Sequence, residues 1–503
     1  MPDLPYRIVI GLEVHVQLLT RTKLFCGCST EFGLPPNSAT CPVCIGMPGV
    51  LPVMNRRAFD LALRAAMALN CLIADFTKWD RKNYYYPDLP KNYQISQYDL
   101  PFSQDGWLEI ETAAGPKRIG IIRAHLEEDA GKMLHDETGA GRDSLVDLNR
   151  AGTPLLEIVS KPEISTPEEA KAYLEEIRLL LRETGVSDCE MQEGSLRCDA
   201  NVNIHVPLTP TPLPSGERGR GEGDGPLAAT PIVEVKNLNS FRAVERAMKY
   251  EAQRQYEAFL RDGRRLAPGE KETAGWDETR GVTVVQRRKE EAADYRYFPE
   301  PDLVPVLVDE SWRDRVRSEM GELPAAQRAR LIREYGLSDY DVGVLTRQGR
   351  ATVAYFEETA RRTGDAKAAS NWVTNKVLAM LKERKQEVRD FPLSAERLAG
   401  LIAEQKAAGL SKQAAEEIYN HMLESGVSAP EAIAQLGIRS LDAEALRDAV
   451  RRAIAANPAA VAQYKKGKTT AANSFMGAVM RETKGGANAD AVRQLILEEL
   501  QKA

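Results

Sequence analysis

The stretch IVIGLEVHVQL at residues 8–18 has the clearest strand pattern in the first half of the chain. Its apolar side chains recur at every second position, and Glu13 and His15 fall between them. The apolar positions are Ile8, Ile10, Leu12, Val14, Val16 and Leu18. Successive side chains of a strand point to opposite faces of a sheet, so this alternation predicts a strand with one buried and one polar face.

Strand patterns continue through the first 306 residues, and helical patterns replace them afterwards. DANVNIHV at 199–206 alternates in the same way. Helices are predicted at about 167–184, with Thr166 as N-cap and Glu169 completing a capping box, and from about Ser240 to Gly263. The chain is therefore predicted to be an α+β protein.

Length and composition favour a large soluble protein of several domains. The chain has 503 residues, and at about 150 residues per domain this suggests three. We place them at 1–306, 307–400 and 401–503, the last two being all-helical. The formal net charge is −6, which excludes a globally basic nucleic-acid binder. Neither a signal peptide nor an apolar stretch of about 20 residues is apparent, so a cytoplasmic location is expected.

A segment rich in Pro and Gly interrupts the first domain at residues 207–231. Such a composition is typical of disorder, and we predict a mobile insertion. The alternative, a phosphate-binding loop, is disfavoured because the glycines match neither common nucleotide-binding pattern.

Four of the seven cysteines lie close together, as Cys26-Gly-Cys28 and Cys41-Pro-Val-Cys44. Two such pairs in a reducing compartment are typical of a structural zinc site with four thiolate ligands. The alternative is a set of free thiols.

Acidic residues and histidines are dispersed over several strand-like segments. They are Glu13, His15, His125, Glu127, Glu128, Asp129 and Glu157. Carboxylates gathered at one side of a sheet favour Mg²⁺, which commonly serves nucleotide phosphates. From the residues alone, a solvated sheet face with surface acids is the stronger alternative.

Three further segments carry positive charge. RKNYYYPDLPKNYQISQY at 81–98 combines cations with tyrosines, which suits the stacking of single-stranded nucleic acid, or else forms a packed turn. In QRRKEEAADYRYFPEPD at 286–302, the guanidinium groups of Arg287, Arg288 and Arg296 suit phosphate binding, or else a solvated strand.

The third segment, residues 451–485, carries seven Lys or Arg against one acid, Glu482. It is either a solvated helical face or a contact surface for nucleic acid. Its candidate contacts are Lys465, Lys466, Lys468 and Lys484.

The ordered set of motifs resembles the B subunit of the bacterial tRNA-dependent amidotransferases, the aspartyl/glutamyl-tRNA(Asn/Gln) amidotransferase family. The motifs include IGLEVHVQL, CPVCIGMPGVLP, RKNYYYPDLPKNYQISQ, HLEEDAGK, DLNRAGTPLLEIVS, EGSLRCDANV, DYRYFPEPDL and SNWVTN. They cover nearly the whole chain in the family's order, and the 207–231 insertion is the main departure.

The resemblance implies an antiparallel, cradle-like catalytic domain followed by helical linker and tail domains. It implies a carbon–nitrogen ligase that works with an A subunit, which hydrolyses glutamine, and a C subunit. Glu-tRNA(Gln) or Asp-tRNA(Asn) binds to the B subunit, which phosphorylates the side-chain carboxylate with ATP and Mg²⁺ and lets ammonia displace the phosphate. Consistent with this division, no G-x-S-x-G nucleophile is present in this chain.

The resemblance also assigns residues. It implies His15, Glu128 and Glu157 as Mg²⁺ ligands, and catalytic roles for Glu13 and Glu128. It matches family members that keep a structural zinc, and it favours tRNA contact by the tail. The alternative function is a noncatalytic tRNA-binding scaffold, which would show no ATP cleavage that depends on mischarged tRNA.

Overall fold

The computed structural model describes residues 4–135, 144–208, 227–267, 271–289, 295–438, 443–465, 473–482 and 489–502. The chain forms two compact units, Met1–Leu323 and Pro324–Ala503. The first is built on β-sheets with helices, and in the second the described residues form helices. This confirms the α+β class.

The first unit contains the strands. In chain order they are Arg7–Gln17 (β1), Leu72–Ile73 (β2), Phe76–Thr77 (β3), Asp80–Asn83 (β4), Tyr93–Ser96 (β5), Ser103–Thr112 (β6), Gly115–Glu128 (β7), Lys132–His135 (β8), Ser144–Asp147 (β9), Pro154–Ser160 (β10), Leu196–Pro207 (β11), Leu227–Ala229 (β12), Ile232–Lys236 (β13), Lys271–Asp277 (β14), Val282–Lys289 (β15), Phe298–Pro299 (β16) and Val306–Leu307 (β17). Its helices are Arg56–Ala68 (α1), Pro167–Glu183 (α2), Phe241–Asp262 (α3) and Glu310–Ser318 (α4).

One ten-stranded sheet organises this unit. Its order is β15-β14-β13-β11-β1-β10-β7-β6-β2, and β12 pairs with β11. The strand predicted from residues 8–18 is β1, which pairs with both β10 and β11. Its apolar side chains are 0–7% exposed and share one hydrophobic core with α1, α2 and α3. The opposite face of β1 therefore presents the polar side chains.

The described strand pairs of the sheet are antiparallel, as predicted, with one exception. β13 and β14 run parallel. They are joined through α3, and a parallel pair needs such a crossover because a tight turn reverses the chain direction.

The two helices predicted in the first unit are confirmed. The Thr166 hydroxyl accepts from the Glu169 N–H at 3.1 Å. The Glu169 carboxylate accepts from the Ser165 N–H instead of closing the expected capping box. α3 begins after Ser240 and ends at Gly263, whose left-handed backbone suits glycine.

The second unit is helical throughout its described residues. Its helices are Pro324–Tyr335 (α5), Asp339–Thr346 (α6), Arg350–Thr363 (α7), Ala366–Trp372 (α8), Leu378–Arg384 (α9), Ala395–Ala407 (α10), Lys412–Ser425 (α11), Ala429–Leu436 (α12), Ala443–Ala455 (α13), Pro458–Lys465 (α14), Asn473–Glu482 (α15) and Ala489–Lys502 (α16), with a π-helical turn at Val373–Val377 and a 3-10 turn at Val388–Asp390.

Two hydrophobic clusters stabilise the second unit, one from Leu331 to Ala432 and one from Leu446 to Leu500. The first unit extends past residue 306 to Leu323, because Trp312 of α4 packs on its core. The three-domain division at 306 and 400 stays a prediction.

The insertion at 207–231 falls mostly outside the described residues. At its edges, β11 ends at Pro207 and β12 begins at Leu227, and the two strands pair. Among the described residues, no helix has both the length and the apolar character that crossing a bilayer requires.

Candidate functional site

Three neighbouring strands carry a row of site side chains across the polar face of the sheet. His15 on β1 is paired with Glu157 on β10, and Glu157 is paired with His125 on β7. Glu127 follows His125 by two residues, so it points to the same face. The alternation of each strand and the register between strands bring these four side chains together.

The two histidines flank the two carboxylates. His15 Nε2 lies 3.6 Å from a Glu157 oxygen and 4.0 Å from a Glu127 oxygen. His125 Nε2 lies 3.5 Å and 3.9 Å from oxygens of the same two carboxylates. Ligand atoms of His15, Glu127 and Glu157 all lie within 4.8 Å of one another, which is close enough for one cation.

The negative charges of Glu127 and Glu157 favour the protonated forms of His15 and Lys82. Burial lowers the pKa of His15, but the hydrogen bond and charge of Glu157 outweigh it and hold that pKa above its usual value. Burial likewise opposes charge on Lys82, yet Glu127 and Glu157 raise its pKa. The Lys82 ammonium lies 3.8 Å from Glu127. His125 behaves oppositely, since desolvation dominates and lowers its pKa.

Glu128 lies outside this group, although the resemblance favours it as a ligand over Glu127. As the next residue along β7, it points away from Glu127. Its carboxylate pairs with the Lys91 ammonium and accepts from the Ile95 N–H at 3.0 Å. Both acids are buried, so the hydrophobic pattern does not distinguish their faces. Metal binding by Glu128 stays a prediction.

Glu13 lies on the same face of β1 as His15, and its carboxylate accepts from the Asn201 side-chain amide at 2.8 Å. Beyond His15, Gln17 donates to Asp129 at 2.7 Å, and Arg197 contacts the other Asp129 oxygen at the same distance. A catalytic role for Glu13 stays a prediction.

The donor set fits a divalent cation. It combines two buried carboxylates with the partly exposed imidazole of His15. The Nδ1 atom of His125 is buried and has no hydrogen-bond partner among the described residues. Carboxylate oxygens are the preferred ligands of Mg²⁺.

The four cysteines form a second candidate metal centre. The Sγ atoms of Cys26, Cys28, Cys41 and Cys44 lie within 4.8 Å of one another. The Cys41 N–H also donates to Cys44 Sγ at 3.2 Å, and Cys44 Sγ lies 3.4 Å from the Cys41 carbonyl oxygen. The hydrogen bond with Cys26 lowers the pKa of Cys44. Four thiolates around one point suit tetrahedral zinc and leave no open position for catalysis.

Two tyrosine-rich segments, separate in the sequence, meet beside the carboxylates. Tyr98 stacks on Tyr297 with ring centroids 4.1 Å apart, and Tyr84 lies edge-on to Tyr295 at 6.0 Å. Burial raises the pKa of Tyr297 to about 12. The pairing of β4 with β16 joins the segments. We call these four residues the tyrosine cluster.

The predicted phosphate-binding arginines lie in two different places along the chain. Arg287 and Arg288 lie on β15, at the edge of the sheet and separated from β1 by three strands. Arg296 is exposed. Their phosphate role stays a prediction.

The predicted tRNA contacts of the tail fall mostly outside the described residues. Lys466, Lys468 and Lys484 lie there, and Lys465 ends α14. Their role in tRNA binding stays a prediction.

Two residues of the site, Glu127 and Lys82, are only weakly indicated by the sequence. Glu127 is two residues from His125, and this i, i+2 spacing on a strand was the available signal. Lys82 belongs to the segment 81–98, for which the sequence leaves open nucleic-acid stacking or a packed turn, and only the fold brings it to Glu127. No sequence signal predicts that contact.

Comparison with known proteins relates the whole chain to one family. Residues 8–314 match the family model of the GatB/GatE catalytic domain, and residues 354–500 match that of the GatB domain. Three similar relatives are all named as the B subunit of an aspartyl/glutamyl-tRNA(Asn/Gln) amidotransferase. The protein from Rhodopirellula baltica is 48% identical over 500 residues, covering 99% of this chain and 97% of the relative. That from Carboxydothermus hydrogenoformans is 48% identical and covers 99% of both. That from Moorella thermoacetica is 48% identical and covers 98% of this chain and 100% of the relative.

Proposed function

The chain belongs to the GatB/GatE family, and on that premise we propose that it activates the side-chain carboxylate of an aminoacyl-tRNA with ATP, for amidation. The substrates are Glu-tRNA(Gln), Asp-tRNA(Asn) or both, and the products are the corresponding amides. The chain would thus be one component of a carbon–nitrogen ligase that takes its nitrogen from glutamine.

The reaction needs activation because a carboxylate is a poor electrophile. One carboxylate oxygen attacks the γ-phosphorus of ATP, and ADP leaves. Ammonia then attacks the acyl carbon, loses a proton, and phosphate leaves. A magnesium ion held by Glu127, Glu157 and His15 would neutralise charge on the phosphoryl group.

The chain's own residues supply the setting for this step. Glu127 and Glu157 are buried, so their charges act in a region of low dielectric, where electrostatic interactions are strong. Lys82, whose ammonium lies 3.8 Å from Glu127, would contact a phosphoryl oxygen. Asn201 orients Glu13 at the side of the group.

The tyrosine cluster is a suitable surface for the unpaired end of tRNA. The aminoacyl group is attached to the terminal nucleotide, so that nucleotide must lie near the reacting carboxylate. Base–aromatic stacking tolerates any base and is worth about 1–3 kcal/mol per base. Tail lysines, including Lys465, would add phosphate contacts.

The four cysteines would hold a structural zinc. The metal would fix the loops that follow β1, because structural zinc contributes directly to folding energy.

Partner chains follow from the same reasoning. The relatives are named as one component of an amidotransferase, which implies further chains, and the sequence offers no glutamine-hydrolysing nucleophile. We therefore assign glutamine hydrolysis to an A subunit, with a small C subunit as the third chain of the complex in the cytoplasm, where tRNA is charged.

The observation that carries this proposal is the group of His15, Glu127 and Glu157, whose two carboxylates are buried. The test is to co-express the chain with the A and C subunits and to measure ATP cleavage with each mischarged tRNA. We expect cleavage that requires both tRNA and Mg²⁺. If the complex binds tRNA and hydrolyses glutamine but never cleaves ATP, the chain is a noncatalytic tRNA-binding scaffold instead.

A further inference from the structure

Lys23 is a fully buried lysine that the proposed reaction does not use. Its side chain is 0% exposed. The ammonium donates to the carbonyl oxygens of Ala39 at 2.8 Å and Leu148 at 3.3 Å, and it lies 3.6 Å from Cys44 Sγ. Burying an ammonium is costly unless an anion lies nearby.

The group that faces Lys23 is the sulfur of Cys44. Among the ion pairs of the described residues, none joins Lys23 to a carboxylate, whereas Cys44 Sγ is in contact with its ammonium. As a ligand of a metal ion, this sulfur would be a thiolate. Four thiolates around a divalent metal retain a net negative charge, and this charge also requires compensation inside the protein.

We propose that Lys23 is the counter-charge of the four-cysteine metal site, and that it couples this site to the loop at residues 148–152. Lys23 is thus a positioning residue that acts on the metal through Cys44. The inference rests on the metal site of the proposed function.

Hydrogen bonds from backbone N–H groups connect the cysteine segment around Lys23 to the loop at residues 148–152, and this loop to Asp129. The Ala39 N–H donates to the Asn149 side chain at 2.8 Å, and the Leu24 N–H donates to the Gly152 carbonyl at 2.9 Å. The Gly152 N–H donates to the Asp129 carbonyl at 2.9 Å. One short loop therefore connects the cysteine segment to the end of β7.

Gly152 is closely surrounded by Cys44, Lys23 and Glu128, the neighbour of Glu127 on β7. Its φ of +85° favours glycine. A Cβ at this position would lie 3.4 Å from Cys44 Cβ and 3.6 Å from both Lys23 Cδ and a Glu128 oxygen. Gly152 thus leaves room for Cys44, Lys23 and Glu128 to pack around one point of the loop at residues 148–152.

The test compares zinc release from full-length Lys23→Met and from the unaltered chain, each mixed with excess of a coloured zinc chelator. Methionine keeps the length and the apolar stem but removes the charge. Removing a group that supports a metal ligand typically costs 10- to 100-fold in metal affinity, so we expect release about 10- to 100-fold faster. Arg21→Met is the matched control, because it removes the same charge from an exposed position two residues away and should leave release unchanged.

A second variant separates charge from hydrogen bonding and replaces the first if that one does not fold. Lys23→Gln keeps a donor for the Ala39 and Leu148 carbonyls but lacks the charge. Faster release from Lys23→Gln supports the counter-charge, and release as slow as in the unaltered chain overturns it.

Thermal unfolding distinguishes a charge role from a packing role. If Lys23 balances the metal–thiolate charge, Lys23→Met should lower the melting temperature of the zinc-loaded chain more than that of the stripped chain. An equal loss in both forms would make Lys23 a packing residue only. Unaltered protein that contains no zinc would instead refute the metal site itself.

Discussion

Glu127→Gln tests the assignment of the cation site most directly. Glu127 is 2% exposed, and its oxygens lie 4.0 Å from His15 Nε2 and 3.8 Å from Lys82 Nζ. Glutamine has nearly the same shape, so the substitution removes one negative charge and leaves the packing in place.

The expected loss follows from Coulomb's law. Two unit charges about 4 Å apart interact by about 4 kcal/mol at an effective dielectric constant of about 20. Mg²⁺ carries two charges and binds oxygen ligands at about 2 Å, which strengthens the attraction, while the neutral amide keeps a weak oxygen ligand, so we take roughly 3–4 kcal/mol as the smallest loss. At 1.4 kcal/mol per tenfold, this corresponds to about 10²- to 10³-fold weaker Mg²⁺ binding.

The assay is the Mg²⁺ dependence of ATP cleavage by the complete complex with mischarged tRNA. The half-saturating Mg²⁺ concentration should rise by that factor, while glutamine hydrolysis and tRNA binding stay unchanged. Glu109→Gln is the matched control, since Glu109 lies on β6 of the same sheet with a side chain 42% exposed.

Glu128→Gln decides between the structural and the sequence-based assignments. Glu128 contacts Lys91 rather than the His15 group, so we expect a smaller shift in Mg²⁺ dependence than for Glu127→Gln. A large shift for Glu128→Gln together with none for Glu127→Gln would refute the structural assignment.

Three further outcomes are expected. Cys41→Ser should lose about one zinc per chain, measured by elemental analysis, and should unfold at a lower temperature, because a three-cysteine site binds zinc less tightly; full zinc content in this variant would contradict the four-ligand site. Protonated His15 pairs with Glu157 at low pH in the metal-free protein, and this pair is lost as pH rises through the raised pKa of His15. Because only the neutral imidazole can bind a metal, Mg²⁺ affinity measured by calorimetry should increase with pH, with a midpoint above the usual value of about 6.5. The variant His15→Gln should remove this pH dependence. Deleting residues 439–503, which contain the Leu446–Leu500 cluster, should weaken tRNA binding and flatten its salt dependence in a filter-binding assay, because fewer cations then release counterions; an unchanged salt slope would assign the tail a structural role.

Local patterns predicted the parts of the fold that depend on short-range physics. Alternation at residues 8–18 predicted β1, because a strand at an apolar core must bury every second side chain. Ser240 and Gly263 predicted both ends of α3, because capping depends on the terminal residues themselves. The cysteine spacing predicted a compact group for the same reason, since its members are within nineteen residues of one another.

The class, the family and the main elements were therefore predictable from the sequence, because each depends on residues that are close along the chain. Which elements contact one another became visible only in the folded chain. Strand register brought Glu127 rather than Glu128 to His15 and Glu157. The pairing of β4 with β16 brought Tyr98 against Tyr297. Contacts of this kind join residues far apart in sequence, and they depend on the packing of the whole sheet, which no local pattern records.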